Sequence, residues 1–300
     1  MKKSIAVLLV LALTLSFAAC GTSKPAESAA TTTDTAATTT ATTTAATTTE
    51  TTPASTIVTG EDGYGTICEY NGAVISWKPE LEMSENGDLQ IEITVDASRC
   101  PDNLAVALAN CTVNGFGVST PTQFMVRAGD NNGMTLSIWT SAMAGYGLAN
   151  YADVKAGLAV YKFDPETYDI ITPAVAEVAP MTLTTGMTGS DTRITTPEAP
   201  IFDRDGVKIY AIQVEEAIYS RLDFYVVNET GKAVTVTPRD LVMNGEPQQA
   251  DYSDYSIPVS ANGSTFAAIP LPNYTYDEAT GAATKIEITG YSFDFDVREK

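Results

Sequence analysis

The sequence contains no histidine among its 300 residues. Histidine is required for Ser-His-Asp and Cys-His nucleophilic sites, for imidazole acid–base catalysis and for histidine-ligated zinc or copper, so these classes of site are excluded. It also lacks a Gly-rich phosphate loop and a dinucleotide fingerprint, and no cofactor is expected. With 37 Asp and Glu residues, a close carboxylate pair arises by composition alone. We therefore predict a protein that is not an enzyme, with a carboxylate-based enzyme acting on glycans as the alternative.

Basic residues are scarce. The sequence has 17 Lys and Arg residues and 37 Asp and Glu residues, so its formal net charge is −20. A surface of this charge repels nucleic acid and anionic lipid headgroups. Neither is expected to be a direct partner.

Long apolar runs are also missing. The longest, Ser4 to Phe17, follows Lys2 and Lys3 and is shorter than the roughly 20 residues of a membrane-spanning helix. The segment from Leu15 to Cys20 resembles the bacterial lipobox, with Phe17 where Leu is usual. The resemblance implies a signal peptide over residues 1–19 and a lipid on Cys20, which anchors the protein to the outer face of the cytoplasmic membrane. The alternative is a secreted protein cleaved nearby.

Residues 20–56 are dominated by Thr and Ala and contain almost no large apolar side chain. Such a segment cannot bury enough surface to offset its ordering entropy, so it is predicted to be a disordered tether. A Thr-rich stretch of this kind also fits an O-glycosylated stalk.

An internal repeat organises the remaining residues. Residues 110–165 match residues 240–295 without a gap, placing Asn114 on Asn244, Asn132 on Asn262 and Tyr161 on Tyr291. We predict two copies of one domain, at 57–183 and 200–300, joined by a linker at 184–199.

Each copy is predicted to be all-β. Apolar residues alternate with polar ones from Leu89 to Val95 and from Val207 to Ala211, and Asn-Gly pairs separate such runs. Short strands at this spacing predict a β-sandwich in each copy. Alternation also places Tyr291, Phe293 and Phe295 on one face of a final strand, where we expect them to enclose the core.

Four segments of the second copy form a recognisable set: Asp203 to Ile209, Val227 to Gly231, Val242 to Gly245 and the closing Tyr-x-Phe-Asp. With these segments the chain resembles a family of Gram-positive surface lipoproteins with tandem immunoglobulin-like domains. The resemblance implies two immunoglobulin-like β-sandwiches at the cell surface and no particular activity. The function we expect is binding, adhesion or envelope scaffolding, with cell-wall glycan or a surface protein as partner. A solute-capture lipoprotein serving a transporter is a further alternative.

Three cysteines remain after Cys20, all in the first copy. If residues 73–96 form a hairpin, Cys68 lies opposite the residues just after 100, so Cys68–Cys100 is the favoured disulfide outside the membrane. Three reduced, buried cysteines are the alternative.

Two kinds of surface cluster are candidates for binding. Asp203 with Asp205, and Asp130 with its neighbouring asparagines, offer oxygen ligands for calcium, although turn chemistry alone explains both. Four tyrosines of the second copy lie in loop-like stretches and form a candidate sugar- or protein-binding surface. The alternative is that their rings pack onto the rim of the sandwich. They are Tyr252, Tyr255, Tyr274 and Tyr276.

Overall fold

The computed structural model describes residues 59–120, 122–216, 219–250, 252, 255–277 and 280–300. The predicted signal peptide, Cys20 and the tether lie outside the described residues. Within them the fold is all-β, with one short helix, α1 (Ser141–Ala144). The first copy contains β1 (Gly65–Tyr70), β2 (Ala73–Trp77), β3 (Glu82–Met83), β4 (Leu89–Asp96), β5 (Leu104–Val113), β6 (Phe116–Val118), β7 (Gln123–Val126), β8 (Asn131–Ile138), β9 (Val154–Phe163) and β10 (Ile170–Leu183). The second contains β11 (Phe202–Arg204), β12 (Val207–Glu215), β13 (Ser220–Asn228), β14 (Val234–Met243), β15 (Glu246–Pro247), β16 (Ile257–Val259), β17 (Ser264–Leu271), β18 (Tyr274–Tyr276), β19 (Ala283–Lys285) and β20 (Tyr291–Glu299).

The strands form because their apolar residues alternate. In β4 every second side chain, from Leu89 to Val95, is buried, and the side chains between them are half-buried. This is the period-two pattern of a strand with one face on a core.

Each copy has two sheets around a common core. In the first copy β1, β2, β4 and β8 pair in that order, with β3 also on β4. The opposing strands are β10, β9 and β5, with β6 and β7 also paired to β5. Side chains of both sheets, such as Ile75 and Val106, are fully buried in the same cluster. The first copy is therefore a sandwich.

The second copy repeats this pairing strand by strand. β11, β12, β13 and β17 correspond to β1, β2, β4 and β8, while β14 with β15, β16 and β20 corresponds to β5 with β6, β7 and β9. The turns also correspond, because Asn114 and Asn244 both have positive φ, at 51° and 53°, before a glycine. The limits of the predicted domains and linker stay predictions.

Two matches of the ungapped repeat are wrong. Val113 of the first copy and Met243 of the second are counterparts. Val113 pairs with Val154, and Met243 pairs with Tyr291. Tyr291 therefore corresponds to Val154 and not to Tyr161. The copies differ in loop length between these strands: the first has α1 and the second has the hairpin β18–β19. Asn132 is also not in a turn, because it pairs with Val95 inside β8.

The final strand encloses the second core as predicted. Phe295 is buried, and Tyr291 and Phe293 are half-buried against the same cluster, while Ser292 and Asp294 are exposed. The core-facing rings of β20 meet Phe224, whose centroid lies 5.8 Å from that of Phe295 in an edge-on arrangement.

The two copies share one sheet. β6 of the first copy pairs in parallel with β17 of the second copy. This pairing joins the sheet of the first copy that contains β5 to the sheet of the second copy that contains β13, and the two form one sheet of nine strands. Phe266 of β17 is fully buried in the core cluster of the first copy. Tyr146 donates its hydroxyl proton to the carbonyl oxygens of Tyr210, at 3.0 Å, and Asp223, at 2.8 Å. The junction is therefore a packed and hydrogen-bonded interface.

Candidate functional site

The strongest charged cluster surrounds Arg221 on β13. Its Nε donates to Asp223 Oδ1 at 2.8 Å, and its Nη1 donates to Glu216 Oε1 at 2.9 Å. Burial raises the pKa of Asp223 to about 6, while the charge of Arg221 acts in the opposite direction. A carboxyl with a raised pKa resembles a catalytic acid, but the side chain of Asp223 has no exposed surface and its oxygens are bonded to Arg221. All three side chains belong to the second copy, and the Asp223 carboxyl is buried and hydrogen-bonded, so it is not open to a substrate.

The three cysteines of the described residues are free thiols in the structure. Cys100 and Cys111 are buried and Cys68 is half-buried, all within or against the first core. The favoured Cys68–Cys100 disulfide is not formed, and the arrangement agrees with the alternative of three reduced cysteines that fill apolar space.

Each calcium candidate lies partly in a turn and partly on a strand. Asp205 and Gly206 have φ values of 54° and 76° in the tight turn between β11 and β12, and Asp203 precedes them on exposed β11. Asp130 donates its backbone N–H to the Arg127 carbonyl, also in a turn. Within the described ranges, no three His, Cys, Asp or Glu side chains are grouped closely enough to hold a metal ion. Turn chemistry accounts for Asp205 and Asp130, whereas Asp203 and the two asparagines lie on β11 and β8. Calcium binding stays a prediction.

The predicted tyrosine surface is not exposed as a whole. Tyr252 is buried in the second core and donates its hydroxyl proton to the Pro270 carbonyl at 3.0 Å. Tyr255 packs against the same core, with its ring edge-on to Tyr252 at 5.9 Å. Tyr274 is half-buried on β18, and the side chain of Tyr276 lies outside the described residues. Tyr252 is therefore a core residue, and Tyr255 is a half-buried residue that packs against the core.

A groove lies where the two copies meet, and its volume is about 470 Å³. The rings of Phe116 and Tyr225 line it, with their centroids 6.4 Å apart in an edge-on arrangement. Glu229, Asn262 and Ser264 add polar groups. The site needs strands from both copies, because Phe116 is on β6 and Tyr225 is on β13.

Other amides around the groove maintain the fold. Asn114 donates to the carbonyl oxygens of Asn150 and Asp191, at 2.6 and 2.9 Å. Asn228 donates to those of Lys232 and Ser260, at 2.8 and 2.9 Å. The exposed side chain of Asn262, on a residue with φ of 49°, is the amide best placed to meet a ligand.

Sequence reasoning missed this groove because its residues are far apart in the chain. Phe116 and Tyr225 have no shared motif, and only the parallel pairing of β6 with β17 brings their strands together. The only available signal was the Asn114-Gly115 turn that precedes Phe116.

Neither a protein-family model nor a curated protein matches the chain. The described part of the chain contains no helix long and apolar enough to cross a membrane. Function must therefore be inferred from the residues themselves.

Proposed function

We propose that the chain is a membrane-anchored extracellular lipoprotein that acts as a non-enzymatic binding module, with cell-wall glycan as the partner. The groove at the junction carries this proposal. It combines two aromatic rings with several polar groups. In a ligand site apolar area supplies affinity and polar groups fix orientation.

The lipid anchor rests on the segment from Leu15 to Cys20, and the tether between it and the folded part supplies reach. As a flexible coil, some 36 residues span roughly 30 Å, and roughly 115 Å when fully extended. This length would carry the groove from the lipid surface into the wall layer.

Rigidity supports binding at the junction. Phe266, the hydroxyl of Tyr146 and the shared sheet fix one copy against the other. A preformed groove loses little conformational entropy when a ligand enters it. The carboxylate-based enzyme and the solute-capture lipoprotein stay predictions that no observation of the groove favours.

The experiment measures sedimentation of the full-length protein, in detergent, with purified Gram-positive cell walls. Ser264→Tyr places a ring in the groove and should weaken binding at least tenfold, or about 1.4 kcal/mol. Asn131→Tyr is the matched control, because Asn131 pairs with Asp96 as Ser264 pairs with Val227 but does not line this groove. Binding by Ser264→Tyr at wild-type strength would refute the groove as the site.

A further inference from the structure

The loop between β9 and β10 holds one aromatic ring out in solvent. Tyr168 is 51% exposed, and its φ is +63°, which is uncommon for a residue with a bulky side chain. The loop is closed by two backbone bonds, from Asp164 N–H to the Asp169 carbonyl at 3.0 Å and from Tyr168 N–H to the Asp164 carbonyl at 2.8 Å. The Asp164 carboxylate accepts a further bond from Glu166 N–H at 2.8 Å. A well-bonded loop thus fixes a backbone conformation that tyrosine does not favour.

The ring itself is held on one face and at its hydroxyl. One face stacks on Phe163, which is buried at the end of β9, with centroids 6.0 Å apart and planes 11° apart. Arg127 Nη2 donates to the Tyr168 hydroxyl at 2.8 Å. The guanidinium carbon of Arg127 also lies 5.9 Å from the ring centroid. The orientation of the ring is therefore set before any ligand arrives, and half of the residue's surface is exposed.

Three loops meet at this end of the first copy. Ala128, next to Arg127, donates its N–H to Asn103 Oδ1 at 3.1 Å, and Phe163 donates its N–H to the Asn103 carbonyl at 3.2 Å. These bonds place the β7–β8 loop and the β9–β10 loop on either side of Asn103. No described carboxylate forms an ion pair with Arg127, so its other N–H groups are available to a ligand.

We propose that Tyr168 is the stacking platform of a second binding site, whose ligand is a hexopyranose ring of a neutral glycan. A pyranose presents an apolar C–H face of about the size of one aromatic ring and a rim of hydroxyls. The exposed part of the Tyr168 ring receives the C–H face, beside the Arg127 guanidinium. Arg127 donates to hydroxyl oxygens, and the carboxylates of Glu166 and Asp169, in the same exposed loop, accept from hydroxyl protons. With Asp164, these acids repel anionic glycans.

This site is separate from the junction groove. The β9–β10 loop follows Phe163, at the end of the first copy where β5 begins, and the groove lies at the Asn114-Gly115 turn where β5 ends. The two sites can therefore be tested independently.

Calorimetric titration of the full-length protein in detergent with chitohexaose, a neutral N-acetylhexosamine oligomer, tests the platform. Tyr168→Gly removes the ring and suits the positive φ, so the loop is retained, and affinity should fall at least tenfold. Tyr168→Phe keeps the ring and should stay within about threefold of wild type. Tyr219→Ala, a change at another partly exposed tyrosine, should bind as wild type does.

Three results would overturn the platform. One is a wild-type protein that does not bind chitohexaose at millimolar concentration. Another is chitohexaose affinity lost in Ser264→Tyr and kept in Tyr168→Gly, which would place the sugar in the groove. The third is Tyr168→Gly weakening attachment to whole cells without changing chitohexaose affinity, which would indicate a protein partner.

Discussion

Asn110 and Asp240 adopt the same left-handed backbone conformation at the same point of β5 and β14, with φ of 51° and 50°. In both strands the pairing register shifts at this residue, between Ala109 and Thr112 in the first copy and between Arg239 and Val242 in the second. A bulge of this kind changes the direction of the strand. Gly, Asn and Asp adopt its left-handed backbone conformation most readily. The duplicated unit therefore keeps a local irregularity as well as its strand order.

Replacement of Asp240 tests the bulge. Asp240→Val places a β-branched residue in the left-handed region and should lower the free energy of unfolding by about 1–2 kcal/mol. Asp240→Gly should change it by less than about 0.5 kcal/mol, because relief of strain offsets the greater freedom of the unfolded chain. Urea unfolding of both variants measures this, and equal midpoints would contradict the role of the bulge.

The sequence predicted the β5–β6 and β14–β15 segments best. Their matched residues are 130 apart throughout, because the strands, the bulge and the Asn-Gly turn have equal lengths in both copies. The prediction failed for β9 and β20, since the loops before them differ in length. The fold class could be predicted because apolar and polar residues alternate along the strands. The alignment of β9 with β20 could not, because it depends on strand pairing across loops of different length, which no local pattern encodes.

The binding candidates were less predictable than the fold. Tyr252 and Tyr168 both lie beside acids in turn-rich sequence, yet Tyr252 is buried and Tyr168 is exposed. The difference comes from tertiary structure. Tyr252 packs into the apolar core of the second copy, whereas the ring of Tyr168 is held at the surface by its own loop and by Arg127. A positive φ at a tyrosine is also not a conformation that the sequence suggests.

The closing strand should contribute much of the stability of the second copy. Phe295 is 6% exposed and lies edge-on to Phe202, with centroids 5.4 Å apart, so Phe295→Ala should cost about 3–5 kcal/mol. Phe293→Ala should cost less, because Phe293 is only half-buried. Ser292→Ala, on the exposed face, should be nearly neutral. Chemical unfolding of the full-length protein gives the three values, and a larger loss for Ser292→Ala than for Phe293→Ala would reverse the assigned faces.

The lipid anchor is tested at Cys20, outside the described residues. Cys20→Ala should abolish incorporation of labelled fatty acid by growing cells and release the protein from the membrane fraction. Cys68→Ala is the matched control and should keep the label, since its thiol lies in the folded part. An unlabelled wild-type protein found only in the medium would show that the chain is secreted without an anchor.

Asp223 should make stability depend on pH in a direction opposite to that of most carboxylates. Burial raises its pKa from 3.8 to about 6, so between pH 4 and 6 the folded state binds more protons at this group than the unfolded state does. The free energy of unfolding should therefore fall as pH rises through this window, by up to about 3 kcal/mol from this group. Other acids titrate in the same range, so the effect of Asp223 has to be measured as the difference in pH dependence between the wild type and a variant that lacks this carboxyl.

Asp223→Asn supplies that difference, because the amide keeps the shape of the carboxyl and does not titrate. Its free energy of unfolding should fall less between pH 4 and 7 than that of the wild type. Urea unfolding at each pH gives these profiles. If the profiles of the wild type and Asp223→Asn run parallel, the charge of Arg221 outweighs the cost of burial, and Asp223 is ionised in the folded protein throughout the range.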